Sequence, residues 1–288
     1  MKNATSLFFA LLLSFSVSYA QKVSLYESEE TFSIFGKILE KHLLFDKTGH
    51  YVQYKDYEKR VFSVLLEKYD PDFKLLFSKS FPAPGGDRYV LGMEYFDGQF
   101  ALIRNVKDDK AKKIHVSLTP VSLEGTAGEP FPLTTLEDAG RSAEAKTKLA
   151  VSDDGTKLLF AGFFDRDMAG KNFGISLAVV DTGMKVLWEK RISLPQNEAQ
   201  IELGTMAVDN DGVAYAMARV YKGEKDGNII WENDKMVQGY DMTILRFTAD
   251  AAQPLYFPLT GSGAFIKAAT FGVAPDGYLS IAGLYAPA

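Results

Sequence analysis

The chain has 288 residues, 47% hydrophobic, 24% charged and 13% aromatic, with 32 Lys+Arg against 37 Asp+Glu and no Cys. That is too apolar for disorder and long enough for a large core; without Cys it is no disulfide scaffold, zinc ribbon or thiol enzyme. A net charge of −5 offers no basic field to a phosphate backbone, so nucleic acid is not an expected partner.

The chain opens with Lys2, then a largely apolar stretch of eleven residues, 7–17, then Ser18-Tyr19-Ala20 before Gln21. A thin positive start, a short apolar stretch and small residues at −3 and −1 of a cut are the layout of a cleaved secretory signal. Eleven residues rise only about 16 Å as a helix, short of a bilayer core of roughly 30 Å. Residues 1–20 are therefore expected to be a signal peptide, and residues 21–288 an exported, periplasmic or extracellular domain without a membrane span. Export without disulfides suits a large core, which needs no covalent staples.

Beyond that, hairpins follow one another along the chain. Residues 45–56 (FDKTGHYVQYKD) read as strand, turn, strand, and so do residues 62–81 around Asp70-Pro71. Residues 92–107 (GMEYFDGQFALIRNVK) place Asp97-Gly98 between two β-rich runs, and residues 114–132 form the next hairpin. The pattern returns in 149–165 (LAVSDDGTKLLFAGFFD) and 175–193, then in 206–222 (MAVDNDGVAYAMARVYK) and 242–258, and finally in 271–287 (FGVAPDGYLSIAGLYAP). Asp-Gly between alternating apolar residues signals a two-residue type I′ turn, with positive φ at both central positions. The turn glycines Gly98, Gly155, Gly212 and Gly277 are spaced 57, 57 and 65 apart. A unit of four antiparallel strands, a to d, repeated at that period without helical periodicity, predicts an all-β fold of β-propeller blades. About four blades are complete, and a partial fifth ends at the a–b hairpin. Either residues 23–40 supply its outer strands and close a five-bladed ring, or the chain is the front of a longer propeller.

The segment 151–163 (VSDDGTKLLFAGF) is similar to the WD40-like repeat of secreted bacterial propellers, and 181–189 (DTGMKVLWE) resembles the outer hairpin of quinoprotein-type repeats. The second resemblance implies that Trp188 docks one blade on the next, a packing role. The whole chain resembles an uncharacterised group of exported proteins from Bacteroidetes-type bacteria, including residues 69–80 (YDPDFKLLFSKS) and 187–195 (LWEKRISLP).

In such a unit the a–b and c–d turns lie at one end of each sheet and the b–c and d–a connections at the other. The first set is tight; the second is long and varied, including residues 82–88, 107–113, 134–147, 165–172, 195–204 and the polar stretch 222–240. Function concentrates on such loops. Trp231, inside the last of them, is either the loop's own anchor or a stacking surface for a ligand. Asp87, Arg88, Asp165, Asp167 and Asp241 are the other candidate ligand-binding residues.

Catalytic motifs fail. Neither G-x-x-x-x-G-K-[ST] nor G-x-S-x-G is present. The three His, at 42, 50 and 115, lack metal-ligand spacing and read as surface strand or turn residues. Residues 165–170 begin like a calcium loop, but its fifth and twelfth positions are Ala169 and Ser176. Asp209 to Gly212 reads as turn chemistry. Phe160, Phe163, Tyr215, Tyr221 and Tyr278 read as packing between blades. No catalytic residue, metal or cofactor is expected. The sequence thus predicts a non-catalytic scaffold that binds a protein, glycan or envelope component, with a glycosidase-like hydrolase using paired loop carboxylates as the alternative.

Overall fold

In the computed structural model, residues 37–58, 61–82, 90–108, 110–137, 146–164, 172–223, 229–232, 235–259, 264–274 and 277–287 are described. All lie within one compact unit, Ile34–Ala288. The expected hairpins pair into successive four-stranded antiparallel sheets. The first joins β1 (Lys37–Asp46), β2 (Gly49–Glu58), β3 (Val61–Tyr69) and β4 (Leu75–Pro82). The second joins β5 (Val90–Phe96), β6 (Gln99–Asp108), β7 (Lys113–Val121) and β8 (Phe131–Glu137). The third joins β9 (Lys146–Val151), β10 (Lys157–Phe164), β11 (Gly174–Asp181) and β12 (Val186–Ser193).

In the fourth sheet, β13 (Ile201–Val208) and β14 (Ala214–Tyr221) are followed by a small hairpin of β15 (Ile229–Glu232) and β16 (Lys235–Gln238). Only then come β17 (Tyr240–Phe247) and β18 (Leu255–Pro258), which complete that sheet. β19 (Ala264–Val273) and β20 (Leu279–Pro287) form a two-stranded fifth sheet. Four complete units and an a–b hairpin match the repeat. The start of β1 does not match the ring-closing alternative: Lys37 pairs with Asp56, so residues 37–40 belong to the first sheet. Residues 23–36 lie outside the described residues.

The apolar pattern follows strand position. β11 is buried along seven of its eight residues because both faces are covered by neighbouring sheets, whereas β12 alternates along the edge. Each interface holds its own core: Tyr51, Leu66 and Phe100 between the first two sheets, Ile103, Leu118 and Phe160 between the second and third, Leu177, Ile201 and Leu245 between the third and fourth. Tyr215, Met242 and Phe271 fill the space between the fourth and fifth. Phe160, Phe163, Tyr215 and Tyr221 are buried as expected, but Tyr278 is 74% exposed at the tip of the last hairpin. Among the described residues no helix is long and apolar enough to cross a membrane.

The turns differ from expectation in type. Among the described residues only Asp97 (φ 51°) and Gly98 (φ 72°) form the two-residue turn with both φ values positive. At Asp209 the Gly212 N–H donates to the Asp209 carbonyl, and the Asp209 N–H to that of Val213, which makes a three-residue loop ending in a left-handed glycine. The cause is the Asp209 carboxylate, whose Oδ1 accepts the N–H groups of Asp211 at 3.0 Å and Val213 at 2.8 Å and so stabilises the longer turn. Asp70 and Asp181 act likewise on Asp72 and Lys74 and on Gly183 and Lys185. There the left-handed positions fall to Phe73 (φ 63°) and Met184 (φ 58°). Phe73 offsets its strain by stacking on His50 at 4.4 Å. His50, expected at the surface, is thereby buried between Phe45 and Phe73.

Side chains of β12 tie three sheets together. On one face Trp188 Nε1 donates to the Gly212 carbonyl at 2.9 Å, and Lys190 Nζ to those of Thr248 and Ala251 at 2.8 and 2.6 Å. On the other, Arg191 donates to the Thr135 carbonyl at 2.8 Å, and Glu189 accepts the Thr134 hydroxyl. Trp188 therefore has the packing role that the repeat resemblance implies. We expect W188F, which keeps most of the ring, to cost about 1 kcal/mol in denaturant unfolding, and W188A about 2–4 kcal/mol. A W188F protein as stable as the parent would show that the bond to Gly212 contributes nothing.

Candidate functional site

Of the residues singled out in the sequence, Asp87, Arg88, Asp165 and Asp167 lie outside the described residues. The stretch holding Trp231 is not an extended polar loop. Residues 229–238 close into the β15–β16 hairpin, with Trp231 opposite Met236. A β-rich run (IIWE) facing another (KMVQ) is what pairing requires, and the polar residues around them hide that signal. Asp241 is exposed near the start of β17, opposite Val220. Among the described residues no three His, Asp or Glu side chains converge into a metal site.

Tertiary packing assembles a polar cluster at the end of the fourth sheet from which that hairpin departs. Glu202 on β13 stands opposite Arg219 on β14, and Tyr221 stands opposite Tyr240 on β17. Strand alternation puts these four on the face toward the fifth sheet, where Tyr221 and Tyr240 join its core; Asp241 takes the opposite face. The Glu202 carboxylate accepts the Tyr221 hydroxyl at 3.1 Å and meets Arg219 Nη1 at 3.5 Å. Arg219 also donates to the Lys267 carbonyl at 2.9 Å, and its guanidinium lies 5.4 Å from the centre of the Tyr240 ring. From the third sheet, Lys148 donates to the Gly204 carbonyl.

The hairpin is fixed to this cluster at its base. Gln238 Oε1 accepts the Ile266 N–H at 2.8 Å, and the Tyr240 hydroxyl donates to the Ile266 carbonyl at 2.8 Å. The Lys222 N–H donates to the Gly239 carbonyl at 2.9 Å. The fourth and fifth sheets thus share one mount for the base of the hairpin, at Gln238 and Tyr240.

Electrostatics keep the cluster polar. Burial, and then the bond to Glu202, hold the Tyr221 phenol above its ordinary value of 10.0, so it stays a hydrogen-bond donor. Burial lowers the Lys148 ammonium from its ordinary 10.5, opposed by the Glu202 carboxylate. With Glu202 47% and Arg219 33% exposed, the cluster can present an acceptor and a cation to a ligand. Sequence reasoning missed these residues because they are scattered from 148 to 240 and lie in no motif. The available signal was charge inside strands: Glu202 in IELGTMAV and Arg219 in AYAMARVY interrupt apolar runs.

No protein-family model matches the chain, and no curated protein sequence does. Its fold is similar to solved all-β, propeller-like structures at low identity. Hydrazine synthase of Kuenenia stuttgartiensis matches at 12% identity and TM-score 0.39 over 80% of this chain and 58% of that one. A mutant apocarotenoid oxygenase of Synechocystis matches at 12% and 0.41 over 84% and 53%. Acylaminoacyl peptidase of Pyrococcus horikoshii matches at 9% and 0.42 over 77% and 33%. The chain therefore spans between a third and three fifths of these proteins.

The raised Tyr221 phenol contributes stability that is fully present below pH 10.0 and is lost as pH rises through the higher folded-state value. Glu202→Gln is expected to bring that titration down toward, but not to, 10.0, because burial is the larger cause. Phenolate absorbance, compared with and without Tyr221→Phe, reads it. A Tyr221 titration identical in E202Q and the parent would overturn the assignment.

Proposed function

We propose that this chain is an exported β-propeller that serves as a binding scaffold, engaging a protein, glycan or envelope component through the end of the sheets that carries the β15–β16 hairpin. Supporting the propeller, four-stranded sheets pack face to face in sequence order, with their first strands β1, β5, β9, β13 and β19 as successive neighbours. The observation that carries the binding reading is the anchored hairpin. The base of the hairpin whose first strand includes Trp231 is held to β19 by Gln238 and Tyr240, so its backbone is ordered before any ligand arrives, which lowers the cost of binding. Export rests on the pattern of residues 1–20 and the likeness to exported bacterial repeat proteins.

Two measurements test this reading. Expressed from its full gene in a Gram-negative host, the protein is expected to be recovered outside the cytoplasm with Gln21 as its first residue; cytoplasmic material of unprocessed mass would overturn export. The mature protein is expected to retain specific ligands from a glycan array or an envelope fraction. Trp231→Ala, or replacing residues 223–238 by a short turn, should weaken that retention at least about 30-fold, the scale of an interface hot spot. Undiminished binding in both variants would remove the hairpin from the site.

A further inference from the structure

Among the described residues, the buried side-chain nitrogens and oxygens without a hydrogen-bond partner all fall on β6 and β7. They are Arg104 Nε, both amide atoms of Asn105 and the Thr119 hydroxyl. Strand alternation divides them. Phe100 and Leu102 join the core against the first sheet, and Ala101 and Ile103 the core against the third. Arg104 therefore looks toward the first sheet, and Asn105 takes the opposite face. Ser117 is opposite Arg104 and Thr119 is opposite Leu102, so both hydroxyls share the Arg104 face. β5 begins at Val90, opposite Arg104, which places Arg104 where the inner strand of its sheet meets the loop end.

Two features make this face a receptor for an anion. Arg104 is half-buried, yet among the described residues it makes no hydrogen bond, ion pair or ring contact. Burial lowers its guanidinium from the ordinary value, and no neighbouring charge contributes. A desolvated cation without a counter-charge is costly. Thr119 is only 2% exposed, and leaving its hydroxyl without a partner is costly as well. The other charges of this seam do not cancel Arg104. Asp108, on the same face of β6, accepts the Lys110 and Ala111 N–H groups at the next turn. Glu94 is opposite Ala101, on the other face. Lys113 and Glu137 oppose each other four residues beyond Ser117, about 13 Å along β7. Lys55 shares the face of β2 from which Gln53 accepts the Met93 N–H at 2.9 Å, and it has a partner of its own. One positive charge is left unmatched.

We infer that this face of β6 and β7 binds the carboxylate of a ligand that enters from the loop end. The Arg104 fork, Nε–H with one Nη–H, donates to the two carboxylate oxygens side by side, and the Thr119 hydroxyl donates to one of them. Ser117, half-buried beside Arg104, offers a further hydroxyl. A carboxylate brings the single negative charge that one unmatched guanidinium requires. A neutral amide of the same shape would leave that charge uncompensated, and a phosphate dianion would exceed it. The inference goes beyond the hairpin reading and shares no residue with it.

Titrating the mature protein with acetate, acetamide and inorganic phosphate at constant ionic strength tests it. Thermal stabilisation reads affinity, and the Arg104 Nε–H resonance, identified by its loss in Arg104→Gln, reports the place. Acetate is expected to shift that resonance and to bind on the order of 1 mM, as two charge-assisted hydrogen bonds allow. Acetamide and phosphate should bind at least about tenfold more weakly. Arg104→Gln and Thr119→Val should each weaken acetate about tenfold, the worth of one hydrogen bond to a charged group. Without acetate, T119V should melt at or above the parent, because it removes a hydroxyl that has no partner. Trp231→Ala should leave acetate binding unchanged, which separates this test from that of the hairpin. An Nε–H resonance indifferent to acetate, equal binding of acetamide or tighter binding of phosphate would each overturn the proposal. So would acetate affinity unchanged in both variants, or a T119V protein that melts well below the parent.

Discussion

The structure depends on the grip of one edge strand, β12, on the sheets to either side. Successive residues of a strand point to opposite faces, so VLWEKRIS sends Trp188 and Lys190 to the fourth sheet and Glu189 and Arg191 to the second. Each contact ends on a backbone carbonyl or a hydroxyl of the neighbour. A four-stranded sheet cannot cover both of its own faces, and its neighbours must be held in one register for the apolar residues between them to meet. Carbonyls at turns and edges are fixed points, so bonding to them aligns a neighbouring sheet as well as attracting it. Charged side chains on this edge also discourage pairing with a foreign strand, which an open edge otherwise invites.

The same logic explains where polarity is tolerated inside the stack. Glu202, Arg219, Tyr221 and Tyr240 sit where the fourth and fifth sheets meet, and their bonds run to one another and to the carbonyls of Ile266 and Lys267. Burial would penalise any of them alone. Together they leave a carboxylate and a guanidinium reaching solvent beside the base of a hairpin. The space between β8 and β12 arises similarly, since Thr134, Glu189 and Arg191, which clamp the sheets, also line it. In both places the scaffold's own fastenings provide the polar surface.

Much of this fold was legible because its signals are local. Asp-Gly and Asp-Pro turns between alternating runs announce hairpins, and the spacing of Gly98, Gly155 and Gly212 announces the four-strand unit. Turn type was less legible, since a carboxylate one position before the turn changes which loop is favoured, as Asp209 does. The β15–β16 hairpin was hidden among polar neighbours, and the burial of His50 required knowing that Phe45 and Phe73 arrive from two different turns.

What the sequence determined by itself was therefore the β class and the hairpin units, because each depends on residues within one turn or strand pair. Only the tertiary structure decided which charges meet. Lys148 and Gly204, Thr134 and Glu189, and Arg191 and Thr135 are separated by 56, 55 and 56 residues, close to one repeat. At that separation a pairing depends on how one sheet is rotated and shifted against the next. That is settled by the summed packing of the cores between them, and no single motif encodes it.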